Sequence, residues 1–149
     1  MKCHNLHRVK LALIEDDDIY ISIILNRLNN IGIENINIFK SGEAFFESDK
    51  KNPDIIILDY NLEKKMNGLD VLKKIKECQI KTKVILFTNE HDDAIYKTCL
   101  ANGAIDFIEK GLYSFGKLEV VVSHIANQIL ESRKLEKRSV LQYIISLFW

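Results

Sequence analysis

Proline is almost absent from this chain: Pro53 stands alone among 149 residues. That excludes a proline-rich linker or a polyproline recognition segment. Cysteine is nearly as scarce. Cys3, Cys78 and Cys99 form no CxxC and no close pair, so a disulfide-stapled scaffold is excluded and free thiols in a reducing compartment are expected. No apolar run reaches the length of a membrane span. Residues 1–7 lack the apolar stretch of a signal peptide. Together these absences predict a cytoplasmic protein with no membrane partner. An excess of one charge is missing too: 21 basic and 21 acidic side chains give a net charge of +0. Such a balance argues against coating nucleic acid or an anionic surface, and no direct nucleic-acid binding is expected. Internal repeats and low-complexity segments are also lacking.

Apolar residues are plentiful, at 47%, enough for one domain with a real core. They are arranged as alternating strand and helix signals. Residues 9–14 read as a buried strand. Ile21, Ile24, Leu25, Leu28 and Ile31 then recur at helical spacing over 19–31, with Asp18 as the expected N-cap and Gly32 as the stop. Residues 34–39 alternate, as in a half-buried or edge strand. Ser41 is placed to cap a short helix containing Ala44, Phe45 and Phe46. Residues 55–58 form an apolar strand, followed by a helix marked by Leu69, Leu72, Ile75 and Cys78. Strand 84–87, helix 92–102, strand 104–108 and a helical stripe of Leu118, Val122, Ile125 and Ile129 complete five βα units. Short connections and right-handed crossovers then favour an α/β fold, a doubly wound five-stranded parallel sheet.

Strand 55–58 stops at Asp59, and strand 9–14 stops at Glu15, Asp16, Asp17 and Asp18. In open parallel sheets, ligands sit outside the carboxyl ends of the strands. Carboxylates gathered there repel each other unless a cation or proton intervenes. The simplest cation is Mg2+, a hard ion that prefers oxygen ligands. The fourth strand ends at Thr88 and the fifth at Lys110, adding a hydroxyl and an ammonium to the same rim. That set suits phosphoryl chemistry, which relies on positioning and charge neutralisation. An Asp carboxylate can itself be the nucleophile, forming an aspartyl-phosphate.

At this point the sequence resembles the receiver domain of two-component response regulators. The resemblance spans roughly residues 8–130. It rests on Leu13-Ile14-Glu15-Asp16-Asp17, Pro53 to Asp59, Asn67-Gly68-Leu69, Val84 to Thr88, and Gly103 to Lys110, in that order and spacing. It implies a flavodoxin-like (βα)5 fold. Asp59 is implied as the acceptor of a phosphoryl group from a sensor histidine kinase or phosphotransfer protein. Glu15 and Asp16 match the pair that holds Mg2+, together with Asp59 and the backbone carbonyl of Asn61. Thr88 matches the switch hydroxyl, Lys110 the phosphate-pairing lysine, and Phe107 the aromatic switch. Asn61 and Asn89 occupy places that tune phosphate lifetime in the family. Two departures stand out. The loop after Asp59 lacks the usual proline and is slightly longer than the common pattern. Gly111 follows Lys110 where the family usually has a proline, a place where glycine can satisfy an unusual backbone.

Rival readings remain at this level. Asp16 and Asp17 are an alternative metal pair. A haloacid-dehalogenase-type phosphohydrolase would also use a strand-end Asp, but it wants an Asp and a Thr or Val where Asn61 and Glu63 stand. A degenerate receiver would bind partners without phosphorylation. Cys3, His4 and His7 have loose metal-ligand spacing on a terminus, residues 1–7, that reads as flexible. His91 and His124 read as unpartnered surface groups. Residues 131–149 form an extension, charge-rich and then apolar. Leu141, Ile144, Ile145 and Phe148 fall at helical spacing within it. That extension is too short for a DNA-binding domain of usual size, so output through a downstream protein target is expected, along with a homodimer through the extension.

Overall fold

The computed structural model of the chain describes residues 5–50 and 52–149. Five parallel strands form one sheet: β1 Leu11–Ile14, β2 Ile36–Phe39, β3 Ile55–Leu58, β4 Lys83–Thr88 and β5 Ala104–Glu109. Their spatial order is β2-β1-β3-β4-β5. Five helices connect or follow them: α1 Asp18–Asn30, α2 Gly42–Glu47, α3 Gly68–Glu77, α4 Asp93–Ala101 and α5 Ser114–Phe148. This is the doubly wound flavodoxin-like arrangement expected, with the alternating segment 34–39 as an edge strand.

Both faces of the sheet are covered, so β1 and β3 are apolar on every residue and β4 is apolar from Val84 to Phe87. Leu11 and Leu13, Ile55 and Ile57, Ile85 and Phe87 face α1 and α5, where Ile24, Leu28, Leu118 and Val122 meet them. Ala12 and Ile14, Ile56 and Leu58, Val84 and Leu86 face the other way, onto Phe45, Val71, Leu72 and Cys99. The sheet order makes β1 and β3 neighbours and β3 and β4 neighbours. The carboxyl ends carrying Glu15, Asp59 and Thr88 therefore lie side by side, and β5 brings Lys110 next to Thr88.

Helix ends follow their local chemistry. Asp17, not Asp18, caps α1: its side chain accepts from the N–H groups of Ile19 at 2.8 Å and Tyr20 at 3.3 Å. Asp17 has the extended backbone that a cap requires, while Asp18 is the first helical residue and pairs with Lys40. Ser41 caps α2 through the N–H of Ala44. Asn67 and Asp70 form a capping box on α3. Gly32 follows α1 at φ +92°, the left-handed conformation that glycine adopts without strain. Gly111 does not share that conformation; among the described glycines only Gly32 and Gly103 have positive φ.

Three expectations need correcting. The core face of α3 is Gly68, Val71, Leu72 and Ile75, whereas Leu69 is half-buried and Cys78 is exposed beyond the helix end. Residues 5–7 are not a free tail. Leu6 sits in a 3-10 turn, Leu6–Arg8, and is 2% exposed, packed into the α1/α5 core. Cys3 and His4, two of the three groups with loose metal-ligand spacing, lie outside the described residues. His91 is not partnerless: its Nδ1 lies 2.7 Å from Glu109 Oε1.

α5 is a single helix of 35 residues, about 50 Å long. No glycine or proline interrupts 131–138, so the fifth helix continues into the extension. Arg133 pairs with Asp54 at the foot of β3, and Asp54 also accepts the N–H of Lys10 at 2.8 Å. Beyond Arg133 every residue is exposed.

Candidate phosphoryl-transfer site

The crevice at the carboxyl end of the sheet brings together Glu15, Asp16, Asp59 and Lys110. Glu15 and Asp59 follow the last residues of β1 and β3, which pair with each other through Ile14 and Leu58. Lys110 follows β5, and its N–H donates to the Thr88 carbonyl at 2.8 Å. Its ammonium donates to Glu15 Oε2 at 2.7 Å and to Asp59 Oδ2 at 2.9 Å. All three side chains are buried. Asp16 is half-buried at the rim, and its Oδ2 accepts the N–H of Glu63 at 2.9 Å. Asp59 Oδ1 accepts the N–H of Asn61 at 3.1 Å.

Two buried carboxylates share one ammonium, so these three side chains are by themselves short of positive charge. Burial pushes the Glu15 carboxyl up to about 7; the hydrogen bond from Lys110 opposes this, and the Asp59 charge adds to it. Burial alone would lower the Lys110 ammonium, but hydrogen bonds to Glu15 and Asp59 carry it above its ordinary value. Carboxylate oxygens of Glu15, Asp16 and Asp59 all lie within 4.8 Å of one another. An all-oxygen donor set with spare negative charge fits a hard divalent cation. Asp17, of the alternative pair, caps α1 with Oδ1 and is not one of the three clustered carboxylates.

A consequence for pH follows. Glu15 holds its proton to about 7 when folded, against an ordinary 4.5. Its contribution to stability is therefore complete below the lower value and is lost as pH rises through the higher one. Across that window the slope is up to about 1.4 kcal/mol per pH unit. We expect the metal-free protein, unfolded by urea in a chelator between pH 5 and pH 8, to lose stability more steeply than Glu15→Gln. Equal slopes would contradict this assignment of the buried proton.

The loop after Asp59 is held from several sides. Gly68 N–H donates to the Tyr60 carbonyl at 2.9 Å. A Cβ at Gly68 would lie 2.7 Å from Tyr60 Cα, so glycine is what lets α3 begin so close to the acceptor strand. Glu43 Oε1, from α2, accepts the N–H of Met66 at 3.1 Å.

Thr88 is fully buried, and its hydroxyl accepts the N–H of Glu90 at 3.3 Å. Phe107 is half-buried and meets Tyr96 of α4 edge-on, with centroids 5.4 Å apart. One crevice residue went unremarked in the sequence: Tyr20, which lines it with Glu63, Asn89 and the expected set. Tyr20 lies on the inner side of α1, four residues before Ile24, a spacing that marks it as inward-facing.

The family model described as the response regulator receiver domain matches residues 11–123. Among curated proteins, the transcriptional regulatory protein CrdR of Helicobacter pylori is 29% identical over 79% of this chain and 55% of its own length. The transcriptional regulatory protein TrcR of Mycobacterium tuberculosis is 25% identical over 87% of this chain and 48% of its own. The chain thus spans about half the length of these relatives. Among solved structures, the receiver domain of DrrB in its BeF3-activated form superposes with a TM-score of 0.70 at 26% identity, covering 80% of this chain and 97% of that one. Response regulator DrrB of Thermotoga maritima gives the same TM-score of 0.70 at 25% identity, with 53% of that chain covered. No helix among the described residues is long and apolar enough to cross a membrane.

Proposed function

Since the chain belongs to the response regulator receiver domain family, we propose that Asp59 is its phospho-acceptor, charged by a sensor histidine kinase or phosphotransfer protein in a two-component phosphorelay. The observation that carries this reading is the buried triangle of Glu15, Asp59 and Lys110, with Asp16 at its open edge. Asp59 presents a carboxylate at a strand end where an incoming phosphoryl group is reachable from solvent. Lys110 supplies fixed positive charge on one side of that carboxylate. Glu15, Asp16, Asp59 and the Asn61 carbonyl would hold Mg2+. When bound, the ion neutralises negative charge on the transferred group.

Transfer adds a doubly charged group where a single carboxylate stood. Thr88 ends β4, the strand between those that lead to Asp59 and Lys110, and is the hydroxyl that answers that change. Turning it from Glu90 toward the phosphoryl oxygens opens room behind it, and Phe107, half-buried against Tyr96, is the aromatic that moves in. The altered α4–β5 surface then meets a downstream protein target.

Acetyl phosphate with Mg2+, followed by intact mass, tests the reading. Stable gain of a single phosphoryl group supports a receiver. Turnover of acetyl phosphate with no accumulated label indicates an aspartyl-phosphate phosphohydrolase of the haloacid-dehalogenase type. No reaction indicates a degenerate receiver that serves as an interaction module.

The end of α5 is the candidate dimer contact. Leu141, Ile144, Ile145 and Phe148 are exposed between 45% and 80%, and helices already cover both sheet faces. A second copy would bury this surface symmetrically. Light scattering is expected to show the full chain as a dimer and a version ending at Arg138 as a monomer. Two monomers at micromolar concentration would rule out the tail as a self-association surface.

A further inference from the structure

The Lys110 ammonium carries three donors, and Glu15 and Asp59 take two of them at 2.7 and 2.9 Å. The same ammonium lies 3.9 Å from the centroid of the Tyr20 ring and 5.8 Å from that of Phe87. Tyr20 does not stand alone. Its ring stacks on Phe115 at 6.1 Å and 29° and meets Phe87 edge-on at 6.4 Å and 77°. Phe87 and Phe115 touch in turn at 5.4 Å. The three rings come from α1, β4 and α5, so the platform is fixed by three separate elements around one cation. Tyr20 also lines the crevice itself, beside the acids.

The geometry points to Tyr20 as a positioning residue for phosphoryl transfer, its ring face holding the Lys110 ammonium against Asp59 through a cation–π contact. The inference rests on the receiver reading of the site. A lysine is a point charge on a flexible four-carbon stem. Charge stabilises a transfer most when it is in place beforehand and needs no reorganisation. A negative ring face supplies attraction on the side where no carboxylate stands, and it does so without adding another anion to an acid-rich site. In transfer from acetyl phosphate, the Asp59 carboxylate forms the new O–P bond and acetate leaves with the electron pair of the broken one. Lys110 faces the negative charge throughout, and Tyr20 keeps it there.

The test separates the ring's π face from its bulk. Tyr20→Phe keeps the face, whereas Tyr20→Leu keeps apolar volume and loses it; Tyr20→Met replaces the leucine variant should that one not fold by melting temperature. Two readouts are taken on folded protein: the initial rate of labelling by acetyl phosphate with saturating Mg2+, and the proton shifts of the Lys110 side chain by NMR. The aliphatic variant is expected to label about tenfold more slowly, and the phenylalanine variant to stay within about twofold of wild type. The upfield ring-current shift of the Lys110 methylenes should fall in the first to what the more distant Phe87 ring supplies, and persist in the second. Labelling of the aliphatic variant at the wild-type rate, or equal slowing in both variants, would overturn the role of Tyr20. Wild type that takes up no phosphate while the ring-current shift is intact would instead overturn the receiver reading, and the transfer role of Tyr20 with it.

Discussion

Asp59→Asn is expected to fold, to melt slightly above wild type in the absence of metal, and to take up no phosphate. The amide keeps the shape of the side chain, and its oxygen still accepts from Lys110, which sits 2.9 Å away. What it lacks is the nucleophilic charge. Loss of labelling should therefore be complete. The stability gain has a separate cause. Asp59 raises the cost of ionising Glu15, so above about pH 7, where Glu15 is ionised, removing its charge relieves repulsion on the order of 1 kcal/mol. Intact mass reads the first outcome and thermal unfolding in a chelator the second. Full labelling of the variant would place the acceptor elsewhere.

Wild type should melt higher in Mg2+, and Glu15→Ala/Asp16→Ala should not. An ion that binds the assembled cluster but not the unfolded chain stabilises by mass action, by about 2.7 kcal/mol at a hundredfold excess over its dissociation constant. For a domain of this size that is a shift of several degrees. The double variant removes two of the three clustered carboxylates, leaving Asp59 paired with Lys110. It should lose the whole Mg2+-dependent increment and fail to label. An undiminished increment in the variant would show that the ion binds somewhere else. Asp16→Ala alone tests the rim, because Asp16 also anchors Glu63 through its backbone N–H.

Much of this architecture was legible because the sheet is covered on both sides. That requirement makes β3 and β4 runs of apolar residues, and each run stops abruptly at a polar residue on the rim, Asp59 or Thr88. The alternating residues 34–39 differ because β2 lies at the edge. The helix cap was misplaced by one position for a simple reason. Asp16, Asp17 and Asp18 are chemically equivalent as caps, and only the backbone turn selects Asp17. The α3 face was misjudged because Leu69, Val71 and Leu72 are all apolar and fit two helical phases. Docking of the helix at Gly68, tight against Tyr60, decides between them.

Leu6 looked like terminal chain because a lone leucine carries no periodicity, yet the core between α1 and α5 has room for it. The contact of Tyr20 with Lys110 was not legible, for a deeper reason. Lys110 lies on the far strand of the fold, and no spacing rule links an aromatic on the first helix to a lysine after the fifth strand. The same holds for Asp54 and Arg133, whose pairing fixes the middle of the long α5 to the foot of β3.

The most direct test of the central claim is the location of the phosphoryl group on wild type labelled by acetyl phosphate in Mg2+, read by fragment mass spectrometry after trapping the acyl phosphate. The account predicts a single modified residue, Asp59. A label on any other residue, or a folded, Mg2+-bound protein that takes none, would contradict it.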